Sequence, residues 1–184
     1  MGIQLKRMTA GGDDADLIRA LNDEAFPPEE HIDIEYLFGG LRGIRQDVLG
    51  IYADGEFAGF FSVLLLGRCA YIGYFAVRPK LRSRGIGSAA LACLMETYRG
   101  FQIVVDFEAP DDSALNNAMR LRRRAFYLRN GFYATGYFQY YMDTEFEITC
   151  SQPEYDRAAY ERLVHAIHAQ VPDFDPHHYR KPGA

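Results

Sequence analysis

Nothing in this chain of 184 residues is long and apolar enough to span a membrane, and no basic-then-apolar leader opens it. A cytoplasmic protein with no membrane partner is therefore the expectation. Cysteine is scarce. Cys69, Cys93 and Cys150 are odd in number, widely spaced and never in metal-like pairs, which excludes a disulfide framework, gives no metal site, and suits a reducing compartment. Positive charge is in deficit: the net charge of −5 argues against nucleic acid as a partner. Internal repeats and low-complexity segments are lacking as well. What is present is apolar mass. A hydrophobic fraction of 48% permits a full core, and this length fits one domain or one domain with an appendage.

The organising stretch runs from Ala70 to Gly100, AYIGYFAVRPKLRSRGIGSAALACLMETYRG. Ala70 to Val77 is aromatic and β-branched, which predicts a strand, and Pro79 cannot donate to a sheet ladder, so the strand is over by then. Ile86, Ala90, Leu94 and Tyr98 then recur at helical spacing, and Gly100 is a natural stop. Between strand and helix lie Arg82-Ser83-Arg84-Gly85-Ile86-Gly87. A side-chain-poor turn at a helix N-terminus offers an anion its backbone N–H groups and the positive end of the helix dipole. Lys80, Arg82 and Arg84 add charge that a phosphate can use. Two other readings fit the same residues. One is an ordinary turn with solvated arginines. The other is a dinucleotide fingerprint, Gly85-x-Gly87-x-x-Ala90 with Asp106 beyond it. In that fingerprint the strand feeds straight into the first glycine, whereas here a proline and a basic run intervene.

Val77 followed by Arg82-x-x-Gly85-x-Gly87 resembles the acyl-CoA-binding signature of the GNAT superfamily of N-acetyltransferases. Phe126-Tyr127-Leu128-Arg129-Asn130-Gly131-Phe132 resembles the second signature of that superfamily, a helix ending in Tyr-x-x-x-Gly-Phe. The two stand in the expected order with a strand between them, and the likeness covers roughly Ile3 to Met142. It implies an α/β (α+β) fold: a single GNAT-like domain with a mixed, mostly antiparallel twisted sheet, flanking helices, and a central splay between the fourth and fifth strands. We take residues 1–150 as that domain and 151–184 as a C-terminal helical appendage and tail.

Ahead of the glycine turn, Ile3 to Met8 alternates like an edge strand, and Leu17, Ile18, Leu21 and Ala25 give the next segment a helical apolar face. Glu29-Glu30-His31-Ile32-Asp33 is an acidic start to a short second helix. Acids there favour the helix N-terminus; Glu29 and Glu30 also border the acceptor region that the resemblance implies, where they would draw in a cationic substrate. Asp54-Gly55 is a two-residue hairpin signal between Val48–Ala53 and Glu56–Leu66, and Gly67-Arg68 offers a second turn. This antiparallel meander counts further against a dinucleotide fold.

Phe101 to Glu108 reads as a central strand on which Asp106 and Glu108 share a face. Such carboxylates are costly to bury unless that face opens onto water or meets paired charge. They either serve a cleft or pair with arginines of the following helix. In that helix Leu115, Ala118, Ala125 and Leu128 are compatible with one inward face, and Arg120, Arg122, Arg123 and Arg124 read as a solvated flank. The inserted Pro110-Asp111-Asp112-Ser113 departs from the common superfamily pattern. Acid-x-acid at the strand end, Arg122-Arg123 and Phe126-Tyr127 together resemble a bacterial subgroup of the superfamily, a likeness that names no substrate. Phe132 to Met142 and Glu145 to Cys150 read as closing strands. A helix after Pro153 turns Ala158 or Ala159, Leu163 and Ile167 inward, ahead of a polar end. His165 and His168 read as a surface pair.

The resemblance implies transfer of an acetyl group from acetyl-CoA, as co-substrate, to a primary amine by direct attack in a ternary complex. The amine is carried by a small molecule or a peptide, and a homodimer is left open. The pyrophosphate would lie on Arg82, Ser83, Arg84, Gly85, Ile86, Gly87 and Ser88, and the pantetheine arm along the backbone of Phe75, Ala76 and Val77. Glu108 is the first candidate base, Asp106 the second, and Tyr127 the proton donor to the departing thiolate. The competing class is a CoA-binding sensor or scaffold without catalysis.

Overall fold

The computed structural model describes residues 2–25, 33–141 and 143–181. Among them the chain forms strands β1 (Ile3–Arg7), β2 (Arg45–Ala53), β3 (Glu56–Leu66), β4 (Cys69–Val77), β5 (Gln102–Glu108), β6 (Tyr133–Tyr141), β7 (Thr144–Cys150) and β8 (His177–Arg180). The helices are α1 (Asp13–Ala25), α2 (Ile34–Gly39), α3 (Ile86–Thr97), α4 (Asn117–Arg129) and α5 (Arg157–His168). Strand order is β1-β2-β3-β4-β5-β7-β6-β8. The ladders β1–β2, β2–β3, β5–β7, β6–β7 and β6–β8 are antiparallel, whereas β4–β5 is parallel. This is the mixed, mostly antiparallel α/β arrangement that the sequence predicts. The parallel ladder is short, running only from Cys69↔Gln102 to Tyr71↔Val104. The elements fall into two compact units, residues 1–65 with 72–99 and residues 66–71 with 100–184.

In the first unit, Asp54 and Gly55 turn β2 into β3 with positive φ at both residues, 49° and 92°. Ile18 and Leu21 of α1 and Leu37 of α2 join Val48, Phe57, Phe60 and Ala76 in one buried cluster. Asp33 caps α2 by accepting from the Glu35 amide at 2.8 Å, while Glu29 and Glu30 lie outside the described residues. Asp47, 1% exposed, meets Arg45 at 2.6 Å, Arg7 at 2.9 Å and the Tyr98 hydroxyl at 2.9 Å. A buried carboxylate is tolerable only with such partners, and this one ties β2 to β1 and to the end of α3. Burial pushes its proton affinity up, but the hydrogen bonds from Arg45 and Tyr98 and the arginine charges outweigh it and hold the carboxyl below its usual range.

In the second unit, helix α4 corrects the sequence reading. Leu115, Ala118 and Ala125 are exposed, and the inward stripe is Arg120, Arg124 and Tyr127. The cause is electrostatic. The strands beneath present Glu108 on β5 and Glu147 on β7, and α4 turns its arginines to them, with Arg120–Glu108 at 2.8 Å and Arg124–Glu147 at 2.7 Å. Ion pairing, and not apolar periodicity, sets the rotation of this helix. In α5, Leu163 and Ile167 are buried as expected, together with Tyr160 and Val164, whereas Ala158 is exposed. The polar end also differs from expectation, because residues 177–180 pair with β6 as strand β8.

Candidate active site

The first unit contributes the glycine turn. A short 3₁₀ segment, Pro79–Leu81, follows β4, and the chain then takes left-handed backbone at Ser83 (φ 62°) and Gly85 (φ 80°). Serine rarely adopts that conformation, so the turn is held by its surroundings and not by local preference. Left-handed residues in such a turn point successive N–H groups to one side, which makes a nest for an anion. Gly85 is also the N-cap of α3, and no side chain caps this end. The first helical bond recorded is Ala89 N–H to Gly85 O at 3.0 Å, which leaves the preceding amides for a ligand. Arg82 to Gly85 are exposed while Ile86 is buried and anchors the helix. Chemically, this is a fit for a pyrophosphate.

The end of β4 is braced from three sides. Arg82 Nε donates to the Val77 carbonyl at 2.9 Å, the Arg78 amide donates to Ala58 O at 2.8 Å, and Arg78 Nε reaches Glu24 at 2.8 Å. Phe75 stacks on Phe61 with ring centroids 4.2 Å apart. Beneath this segment the β3 backbone comes very close: a Cβ on Gly59 would lie 2.1 Å from the Ala76 carbonyl oxygen. Only glycine admits that approach.

The second unit carries the candidate acid–base residues, and it places the two carboxylates in different surroundings. Glu108 is bound up with α4: Arg120 donates at 2.8 Å, the Asn116 amide at 3.2 Å, and Arg123 stands at 3.8 Å. It works as the clamp for the start of that helix. Of the two readings left open for these carboxylates, pairing with arginines of the following helix describes Glu108; the contacts of Asp106 are of another kind. It accepts instead from the Tyr71 hydroxyl at 2.7 Å and from Gln139 Nε2 at 2.5 Å. Burial raises its proton affinity, and the two hydrogen bonds work against that rise. Neither Tyr71 nor Gln139 was singled out from the sequence. Gln139 is the one amide in the aromatic run FYATGYFQYYM, and that anomaly was the available signal.

Tyr127 is 6% exposed. Its ring stacks on Phe107 with centroids 5.3 Å apart and planes 3° apart, and it meets Phe126 and Phe132 edge-on. Burial pushes the phenol pKa up, so its proton stays on at neutral pH. The thiols of Cys69 and Cys150 are also buried and pushed up, to about 12 and about 11. Protonated thiols are poor nucleophiles. No group of metal-ligating side chains is assembled among the described residues, and none of their helices is long and apolar enough to cross a membrane.

Left-handed backbone at Ser83 and Gly85 ahead of an uncapped helix end gives the first unit a turn chemically suited to an anion, in a chain whose sheet is mixed and mostly antiparallel. The chain belongs to the acetyltransferase (GNAT) family, whose model matches residues 15–132. Among solved structures, a GNAT-family acetyltransferase from Bacteroides thetaiotaomicron is 25% identical with a TM-score of 0.68, covering 91% of this chain and 97% of that one. The PaiA N-acetyltransferase of Thermoplasma acidophilum, solved with coenzyme A, has a TM-score of 0.57 at 14% identity, covering 80% of this chain and 98% of that one. A GNAT-family acetyltransferase of Elizabethkingia anophelis with acetyl-CoA bound has a TM-score of 0.55 at 14% identity, covering 82% and 97%. No curated protein matches this chain.

Proposed function

We propose that this protein transfers the acetyl group of acetyl-CoA to a primary amine without an acetyl-enzyme intermediate. The observation that carries the reading is the glycine turn, with left-handed Ser83 and Gly85 opening onto the uncapped end of α3. Backbone amides of Ser83 to Ser88 hold the pyrophosphate, with Arg82, whose own amide donates to Pro79 O, beside them, and the braced backbone of Phe75, Ala76 and Val77 receives the pantetheine arm. A backbone N–H of that segment polarises the thioester carbonyl. A lysine-like amine, with a pKa of about 10.4, arrives protonated and needs a base. Asp106 takes that role in preference to Glu108, which its arginines already occupy. Tyr127 keeps its proton at neutral pH and supplies it to the departing thiolate. The raised thiol pKa values of Cys69 and Cys150 support direct attack over a cysteine-borne intermediate. Glu29 and Glu30 remain candidates for drawing in the cationic acceptor.

The test is amine-dependent release of CoA thiol from acetyl-CoA, across polyamines, amino sugars, amino acids and peptides with free N-termini. Release that requires one amine class supports the reading. CoA binding with no release on any amine identifies a sensor instead.

A further inference from the structure

One buried titratable group has no part in the scheme above. His178 on β8 has a side chain only 8% exposed, and it lies beyond the residues that the family model matches. Its Nε2 stands 2.7 Å from Gln139 Oε1, and its Nδ1 stands 3.6 Å from Glu161 on α5. Gln139 is itself fully buried and spends its NH₂ on Asp106 at 2.5 Å. Asp106 also accepts from Tyr71, so donors meet both of its oxygens. With its NH₂ directed to a carboxylate, the Gln139 amide must present oxygen to β8, and an oxygen there requires a donor. Nε2–H of His178 is that donor, and the Tyr160 hydroxyl adds a longer contact at 3.5 Å. The Tyr160 ring stacks on the imidazole with centroids 5.2 Å apart and fixes its plane.

We propose that Gln139 and His178 are positioning residues for Asp106, His178 locking the Gln139 amide so that its NH₂ always faces the carboxylate. The inference rests on the reading of Asp106 as the base. Without the lock the amide can flip and set its oxygen against Asp106, which disfavours the charged carboxylate. Nε2–H donates in both the neutral and the protonated imidazole, so the lock survives titration. The outer side of His178 opens into a hollow of about 290 Å³ lined by Glu161, His165, His168, Asp175 and His177. Glu161 favours the imidazolium, but it also pairs with Arg157 at 2.6 Å, and burial keeps His178 toward the neutral form.

Two measurements decide it, neither needing the acceptor amine. Nitrogen-15 NMR of the wild type should show His178 protonated at Nε2; a neutral ring with its proton on Nδ1 and none on Nε2 overturns the lock and does so even if variants fail to fold. Carbon-13 NMR should show the Asp106 carboxyl pKa rising by about one unit in His178→Leu, the loss of one charge-stabilising hydrogen bond. It should return near the wild-type value in His178→Gln, whose amide restores a donor. Unchanged Asp106 titration in His178→Leu overturns the relay. Full acetyl transfer by Asp106→Asn would instead overturn the reading of Asp106 as base and leave the relay standing.

Discussion

Replacing Gly59 with alanine tests whether the end of β4 is held where the account needs it. Gly59 has no positive φ, so alanine suits its backbone. On conformational entropy alone the change should stabilise the fold by about 0.4–1 kcal/mol. The packing says the reverse. The added methyl would lie 2.1 Å from Ala76 O and 2.9 Å from Val77 Cα, against an ordinary contact of about 3.5 Å. The obstacle is backbone and cannot rotate away, so the segment must move by roughly an ångström. Overpacking of this kind costs about 1–3 kcal/mol, and a backbone neighbour puts it at the upper end. In a chain of this size that lowers Tm by about 6–12 °C. The displaced residues, Ala76 and Val77, include the carbonyl that Arg82 grips, so CoA affinity should fall in the same variant. Urea titration and calorimetric titration with CoA read the two effects. A Gly59→Ala protein as stable as wild type, or more so, with unchanged CoA affinity would refute the reasoning.

Four further predictions follow from the same geometry. Gly85→Val places a branched residue at φ 80° and should abolish CoA binding by calorimetry while circular dichroism still shows a folded chain; unchanged affinity would move the pyrophosphate elsewhere. Asp106→Asn should lose most of kcat/KM, by about 10²-fold or more, with partial recovery at high pH where the free amine is abundant. Glu108→Gln should instead keep its turnover and lose about 1–3 kcal/mol of stability, because Arg120, at 13% exposure, is left without its carboxylate. Asp47→Asn should cost about 3 kcal/mol. Because the folded carboxyl is held below its usual range, the stability that Asp47 contributes is complete above about pH 4 and is lost as pH falls further. Acid titration of the variant should therefore be flatter than that of wild type.

What the sequence disclosed was whatever local chemistry determines. Asp54-Gly55, Pro79 and Gly85 specify backbone shapes that few neighbours can override, so the meander, the strand end and the glycine turn were all legible. Helix α4 was legible as a helix but its rotation was not, because that depends on Glu108 and Glu147, which come from two strands that the sequence alone does not place beneath it. Exposed Leu115 shows how the apolar pattern misled. The different surroundings of the two candidate carboxylates were hidden for the same reason. Asp106 and Glu108 are equivalent by alternation, and they part only through partners far off in sequence, Tyr71 and Gln139 for one and Arg120 for the other. Strand β8 was missed because His177 to Arg180 has no apolar alternation; its pairing partner is the aromatic strand β6.

The central claim is that the acetyl group passes from CoA straight to an amine nitrogen. Mass spectrometry after a single turnover with isotopically labelled acetyl-CoA tests it most directly, with the responsive amine present and with it withheld. The account predicts label on the amine nitrogen alone, none on the protein when the amine is withheld, and formation slowed by about 10²-fold or more in Tyr127→Phe at unchanged acetyl-CoA affinity. Label retained on Cys69, Cys93 or Cys150 before the amine is added, and chased from there to the product, would contradict it.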